Sequence, residues 1–416
     1  MAQGRSAENV LSGLQAVRIN GPTAYILLYA ALYGAFGVAS PFWPKFFETR
    51  GSSAEQIGLI LGVAMLVRLA AGPLIGRLAD RSRSLRLVLA TCAVLAAGMA
   101  AALSLADTFR SLLCIASLQA AALAPTTSLA DALSVNAAKP QMAGKPFEYG
   151  WIRGSASAAF VSGTLIIGRL ISGTDLNPII WMNVALLVAT AAATALLPGV
   201  SAQSEPRTSA SPAVDEMRGL LRISRFRILL VVSALVYGSH AMHDAFAVIR
   251  WSDAGMDAST ISMLWSEAVA AEVVVFFIVG PALLGRIGPR GAAALAAGAG
   301  IIRWSVAGVT TSVLPLSILQ PLHGLTFALL HLACMRMMET LVPISLCATA
   351  QAFYAASAGF ATAALTLLSG ILYARYGGAS FFPMAILCGI ALPFAWFGFA
   401  NKRNGSDDAL DATHMR

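Results

Sequence analysis

The residues with most chemistry to offer are ionisable side chains inside long apolar runs: Arg153, Glu267, Glu272, Arg303 and His323. A charge in hydrocarbon costs about 2.5–3.5 kcal/mol even on the gentlest scale, so each needs a partner or a task. Arg303 lies about eight residues from one end of its run, and His323 about nine from the same side of the next, so the two share a depth near the membrane centre. Glu267 falls at similar depth on a third run, and Glu272 about one and a half turns further in. A histidine and a carboxylate that can each become neutral form a proton relay, while an arginine, which stays charged, displaces the proton or holds an anion. The blander reading of the same residues is a set of ion pairs that hold a helix bundle together. His240, His243 and Asp244 follow at i, i+3 and i+4 and so share a helix face, which reads as a polar cavity lining; a metal site would need further ligands. Tyr25, Tyr29, Tyr33 and Phe36 form one stripe, either helix packing or the wall of a site for an aromatic substrate.

Such residues need a frame that carries them through lipid. Of 416 residues, 57% are apolar and 12% charged, more apolar side chain than a soluble domain requires. Apolar runs of about 20 residues recur along the chain, each able to cross a hydrocarbon core of about 30 Å as a helix. The pattern predicts spans at 23–47, 54–76, 85–105, 109–133, 149–172 and 178–198, then 228–250, 258–284, 291–311, 314–338, 346–373 and 379–400. It therefore predicts an all-α membrane protein of twelve helices: a tail at 1–22, a six-helix bundle at 23–198, a linker at 199–227, a second bundle at 228–400 and a tail at 401–416. The net charge of +8 gathers on one set of segments, including Arg5, Arg18, Arg77, Arg81, Arg83, Arg86, Arg286 and Arg290. By the positive-inside rule both termini are then cytoplasmic, and nucleic acid is not needed to explain the charge. The residues before the first span lack the apolar core of a signal peptide. Cys92, Cys114, Cys334, Cys347 and Cys388 are scattered singly in apolar runs and read as packing residues. No phosphate-binding loop, nucleophile elbow or paired-histidine zinc motif occurs, so neither an enzyme nor a cofactor is expected.

The chain also resembles itself at a fixed offset of 204 residues: Gly51 pairs with Gly255, Ile57 with Ile261, Gly76 with Gly280 and Arg86 with Arg290. The segments GSSAEQIGLILG and GMDASTISMLWS share a cap-like polar start, at Ser53 in one and Ala258 to Ser259 in the other. Two parallel halves with a site between them at the membrane centre are the arrangement of alternating-access carriers. The same offset pairs Arg68 with Glu272, which suggests that both face the interior.

The stretch GRLADRSRSLR, from Gly76 to Arg86, resembles the loop motif of the major facilitator superfamily. The resemblance implies a gate built on Gly76, Asp80, Arg81 and Arg86, with Gly76 at a close helix approach. The second-half copy, GPALLGRIGPR, keeps Gly280, Arg286 and Arg290 but has no acid. FEYGWIRGS, the Glu272 helix, GIIRWS and PLHGLTF together resemble the phenylpropionate permease branch of that superfamily and, more distantly, the lactose permeases, over nearly the whole chain. That resemblance implies a substrate-binding role for Arg153, and for Glu272, Arg303 and His323 the roles of coupling acid, arginine and histidine. Thr326 stands where the lactose permeases keep a proton-carrying acid.

These readings combine into one expectation: a proton-coupled symporter of a small organic solute, an aromatic or other monocarboxylate being favoured. Substrate is expected at Arg153, Arg303, Asp131, Tyr29, Tyr33, His240 and Asp244, and the proton at Glu272, His323 and Glu267. The expected partners are that solute, protons and the lipid of a bacterial inner membrane, with the chain working as a monomer. An exporter of the same fold is the alternative, followed by a sugar or nucleoside symporter and a receptor that transports nothing.

Overall fold

The computed structural model describes residues 21–82, 84–138, 149–172, 175–197 and 214–399. The expected tails, except for residues 21–22, and residues 199–213 of the expected linker lie outside the described residues.

Among those residues nine stretches are long and apolar enough to span a membrane. Two of them, Ala258–Val309 and Ile344–Gly398, run to 52 and 55 residues. At 1.5 Å per residue each is more than twice the hydrocarbon thickness, so each must fold back once. The first does so at Gly288, with φ 66°, followed by Pro289; the second does so at Gly377, with φ 52°. With the helix Tyr149–Leu170 the described residues are consistent with the expected twelve crossings.

In order, the first crossing is Gly21–Ala39 with Trp43–Thr49, the second Ala54–Arg81, the third Leu85–Leu103, and the fourth Phe109–Leu123 with Thr126–Ala138. The fifth is Tyr149–Leu170 and the sixth Asn177–Leu196; a short helix, Val214–Arg222, precedes the second half. The seventh comprises Ser224–Gly238 and Ala241–Asp253, and the eighth runs from Ala258–Val274 through a π-helical turn, Val275–Val279, to Gly288. The ninth ends at Val309. The tenth contains Val313–Leu319, a second π-helical turn at Leu325–Leu329 and Leu330–Leu341, and the last two are Cys347–Tyr376 and Phe381–Gly398.

The repeat is visible in the backbone. Gly51 and Gly255 both take positive φ, 79° and 88°, at the turns before the second and eighth crossings, a conformation that a side chain disfavours. Ser53 caps the second crossing by accepting from the Gln56 amide, and the residue 204 positions later, Asp257, caps the eighth by accepting from the Thr260 amide at 2.6 Å. The second cap thus sits one residue before the expected Ala258 to Ser259. Asp257 lies at the membrane edge, where the Thr260 amide holds its carboxyl below the usual range. Arg86 and Arg290 each reach the last crossing of their own half: Arg86 donates to the Leu197 carbonyl at 2.6 Å, and Arg290 lies 4.0 Å from the Trp396 ring centroid.

The halves meet at the end away from the chain termini. A Cβ on Gly58 would lie 2.8 Å from the Gly370 Cα, and one on Gly168 2.8 Å from the Ala258 carbonyl, so backbones touch directly. Lys45 bridges to Asp253 at 2.9 Å at the rim. Toward the other end the second crossing keeps Ala79 buried against its own half, while Cβ atoms on Gly72 and Gly76 would meet nothing within 4 Å, and Asp80 and Arg81 are exposed. Gly76 therefore stands in open space, not at the expected close approach, because the halves are splayed at this end.

A Leu at Gly58 should wedge the closed end apart and shift the population toward the opposite state. Spin labels at Arg81→Cys and Ile344→Cys, both exposed at the splayed end in opposite halves, would then report shorter distances. An unchanged distance distribution would show that this contact does not hold the state.

Candidate functional site

The deepest charge is Arg303, 2% exposed on the ninth crossing. One guanidinium nitrogen donates to His323 Nδ1 at 2.9 Å and another to Gln320 Oε1 at 3.1 Å, and the group lies 4.5 Å from the Trp304 ring centroid. Gln320 and His323 come within reach because the tenth crossing is interrupted between Leu319 and Leu322 and then turns through its π segment. A guanidinium only donates, so His323 Nδ1 must be a bare acceptor and the ring proton must lie on Nε2. That nitrogen is 3.6 Å from Glu272 Oε2 on the eighth crossing. The three residues expected to act together are therefore adjacent, in the order arginine, histidine, carboxylate.

The imidazole cannot accept a second proton while Arg303 occupies Nδ1. Any proton it carries as a cation has to wait until the guanidinium turns elsewhere.

Glu267 does not join this chain. Five residues before Glu272, it is rotated by about 140° around the helix, and its carboxylate accepts from the Ser317 hydroxyl at 2.8 Å. The polar group of the seventh crossing is also rearranged, because the helix breaks at Ser239 and His240. His240 is buried; its Nδ1 faces the Val236 carbonyl and its Nε2 the Thr326 hydroxyl, both at 3.0 Å, and its ring is 5.3 Å from His323. Thr326 thus anchors His240 on the tenth crossing. Asp244 exposes 55% of its side chain, 3.3 Å from the enclosed His243.

The expected site residues of the first half form a second group. Tyr29 on the first crossing donates to Asp131 on the fourth at 2.5 Å and lies 2.9 Å from the Ser134 hydroxyl. Tyr29 stacks on Tyr33 at 5.7 Å, Tyr33 meets Phe36 edge-on at 5.9 Å, and Arg153 of the fifth crossing lies 5.1 Å from the Tyr33 ring centroid. Arg68 lies 5.9 Å from that of Phe36. The Arg153 guanidinium is close enough to act on Glu272 electrostatically across the interface of the halves. Tyr25 and Tyr29 are buried, whereas Tyr33 and Phe36 are only half-buried, so the stripe is packing at one end and wall at the other.

Several participants carry weak sequence signals. Gln320, Trp304 and Ser239 form the shell of Arg303, with the Trp304 indole donating to Ser239 at 2.8 Å. Gln320 could have been found as a lone amide in an apolar run. Tyr237 and Tyr354 pair at 2.9 Å, and Tyr354 lies 3.2 Å from His331.

Comparison with known proteins agrees with this fold. The family model described as "MFS_1 like family" matches residues 23–384. A protein of Escherichia coli strain K12, named "Probable 3-phenylpropionic acid transporter", is 30% identical over 366 residues, covering 88% of this chain and 94% of its own. The maltose permease of Geobacillus stearothermophilus is 26% identical over 361 residues, 85% of this chain and 88% of its own. Among solved structures, the nucleoside transporter NupG superposes with a TM-score of 0.80 at 18% identity, covering 93% of this chain and 100% of that one. A bacterial homologue of the human lysosomal transporter Spinster, inward-facing and unoccupied, gives 0.70 at 15% identity, covering 92% and 97%.

If Arg303 serves transport and not packing, Arg303→Met should change thermal stability little, since the relief of burying no charge offsets the acceptors left on Gln320 and His323, while transport is lost. Gln320→Ala should lower stability by about 1–3 kcal/mol by stranding a guanidinium donor. Unfolding of Arg303→Met in a thermal melt would mark the arginine as structural.

Proposed function

This chain belongs to the MFS_1 like family, a membrane transporter and not an enzyme, and on that premise we propose that it couples uptake of a small monocarboxylate, preferably aromatic, to uptake of a proton. The observation that carries the reading is the buried Arg303, whose two hydrogen-bond acceptors in this structure, Gln320 and His323, are both neutral as geometry requires. A carboxylate entering the cavity gives Arg303 a charged, bidentate partner and draws it from His323. The freed Nδ1 can then take a proton, and the resulting imidazolium is held by Glu272. Substrate and proton favour each other's binding in this scheme, as symport requires.

Arg153, in the other half, holds the far side of the same anion, while Tyr33, Tyr29 and Phe36 offer ring faces to an aromatic body. Asp131, His240 and Asp244 complete the polar lining, with Asp131 orienting Tyr29. Glu267, tied to Ser317, is left out of the proton path. The name of the 30% identical relative supports an aromatic acid over a sugar or a nucleoside.

The arginine-rich ends support an inner-membrane location with both termini cytoplasmic. The splayed end then faces the cytoplasm, and Gly76, Asp80, Arg81 and Arg86 belong to the gate that shuts there in the opposite state. Asp80→Asn should weaken that gate. A spin-label distance across the splayed end that still shortens to the wild-type extent on adding substrate would reject this role.

Competition in proteoliposomes tests the substrate class. Labelled 3-phenylpropionate uptake should be inhibited by unlabelled acid and not by its amide, and equal inhibition by both would sink the carboxylate reading. Arg153→Lys should weaken binding by about 1–3 kcal/mol, since a point charge cannot replace the planar fork. Glu272→Gln should keep counterflow and lose accumulation against a gradient; full accumulation would remove Glu272 from the proton path.

A further inference from the structure

His243 has surroundings that suit a different role from the lining of a cavity. Its side chain is 7% exposed, and three indoles enclose the ring: Trp265 stacked at 5.0 Å and 26°, Trp251 edge-on at 5.7 Å, and Trp304 tilted at 5.7 Å. Nδ1 lies 3.3 Å from Asp244 Oδ1. Nε2 is buried and has no hydrogen-bond partner.

Two arrangements without an added proton both leave a lone pair badly placed. If Nδ1 carries the hydrogen and donates to Asp244, the bare Nε2 is buried among electron-rich ring faces, where an unmade hydrogen bond is costly. If Nε2 carries it instead, the bare Nδ1 confronts an ionised carboxylate. One further proton removes both conflicts: Nε2–H can point at an indole face, and a proton between Nδ1 and Oδ1 joins the two residues. The proton has two homes, an imidazolium beside a carboxylate or a carboxylic acid donating to a neutral ring; the pair is net neutral in both, and the second has no separated charges to bury.

We infer that His243 and Asp244 form a proton-binding pair, loaded in this conformation, separate from the His323 and Glu272 contact. Asp244, with 55% of its side chain exposed, is its opening to water, and His243 is the enclosed end. The charged and titratable groups that act on His243 from packed elements are Arg303 of the ninth crossing and His323 of the tenth, with His240 and Asp244 on its own segment. Glu267, Tyr373, Lys45 and Glu55, on other elements packed against Ala241–Asp253, are engaged with Ser317, Phe246, Asp253 and Ser53. Arg303 opposes a cation at His243; resting on the proposed reading, a carboxylate that neutralises Arg303 strengthens the pair's hold on its proton. The carrier then has two proton sites that both answer to one arginine.

The test is nitrogen NMR of the full carrier in lipid bilayers, labelled at its five histidines. The His243 signal is assigned by its loss in His243→Gln; should that variant fail to fold, single Gln variants of His240, His323, His331 and His414 assign it by elimination. At neutral pH the Nε2 signal should be of the protonated, pyrrole type, and Nδ1 should either carry a proton or show the strong hydrogen bond of a protonated Asp244 carboxyl. A bare, pyridine-type Nε2, or a protonated Nε2 beside an Nδ1 that neither carries nor accepts a proton, would overturn the pair. That result together with lost accumulation in Glu272→Gln would sink this inference and spare the Glu272 relay. A protonated Nε2 with full accumulation in Glu272→Gln would do the reverse.

Discussion

A guanidinium held near the centre of a membrane by neutral acceptors is the constraint around which the second half is arranged. Arg303 is kept in place by Gln320 and His323 and enclosed by Trp304, and each of these is fixed by another contact in turn. Trp304 is anchored on Ser239, at the break in the seventh crossing, and that break leaves His240 between Val236 and Thr326. The interrupted tenth crossing brings Gln320 and His323 to one arginine. An apolar side chain at 303 would be easier to bury, which is why the charge argues for a task beyond packing.

The crossings, the repeat and the depth of the main ionisable residues were legible in the sequence, because length, apolarity and linear position determine them directly. Arg303 and His323, matched by counting residues from the ends of their runs, are in contact. Helical phase was less accessible. Depth alone offers both Glu267 and Glu272 to the histidine, but five residues around a helix turn one of them away. His240, His243 and Asp244 were read as one face of an unbroken helix; the break before Ala241 instead sends His240 to Thr326 and His243 into the indoles.

Conformational state left no trace in the pattern of residues. Gly76 and Asp80 carry the motif of a gate, yet a Cβ on Gly76 would meet open space and Asp80 is exposed here. The π-helical turns at Val275–Val279 and Leu325–Leu329 were equally silent, since one additional residue in a turn leaves composition and hydropathy unaltered. Both follow within three residues of Glu272 and His323, in crossings that contact each other.

The seal between Gly58 and Gly370 has a kinetic side as well. Backbone pressed on backbone binds through dispersion forces, which fade within an ångström of separation. Parting these two helices breaks little polar contact, a long one from the Thr366 hydroxyl, which also reaches its own Thr362 carbonyl, to the Met65 sulfur at 3.6 Å, whereas the Lys45 and Asp253 bridge stands at the rim, where water and salt already screen it. Such a joint behaves like a dry clasp. The speed at which it opens should follow temperature and the lateral pressure of the lipid far more than the ionic strength of the medium.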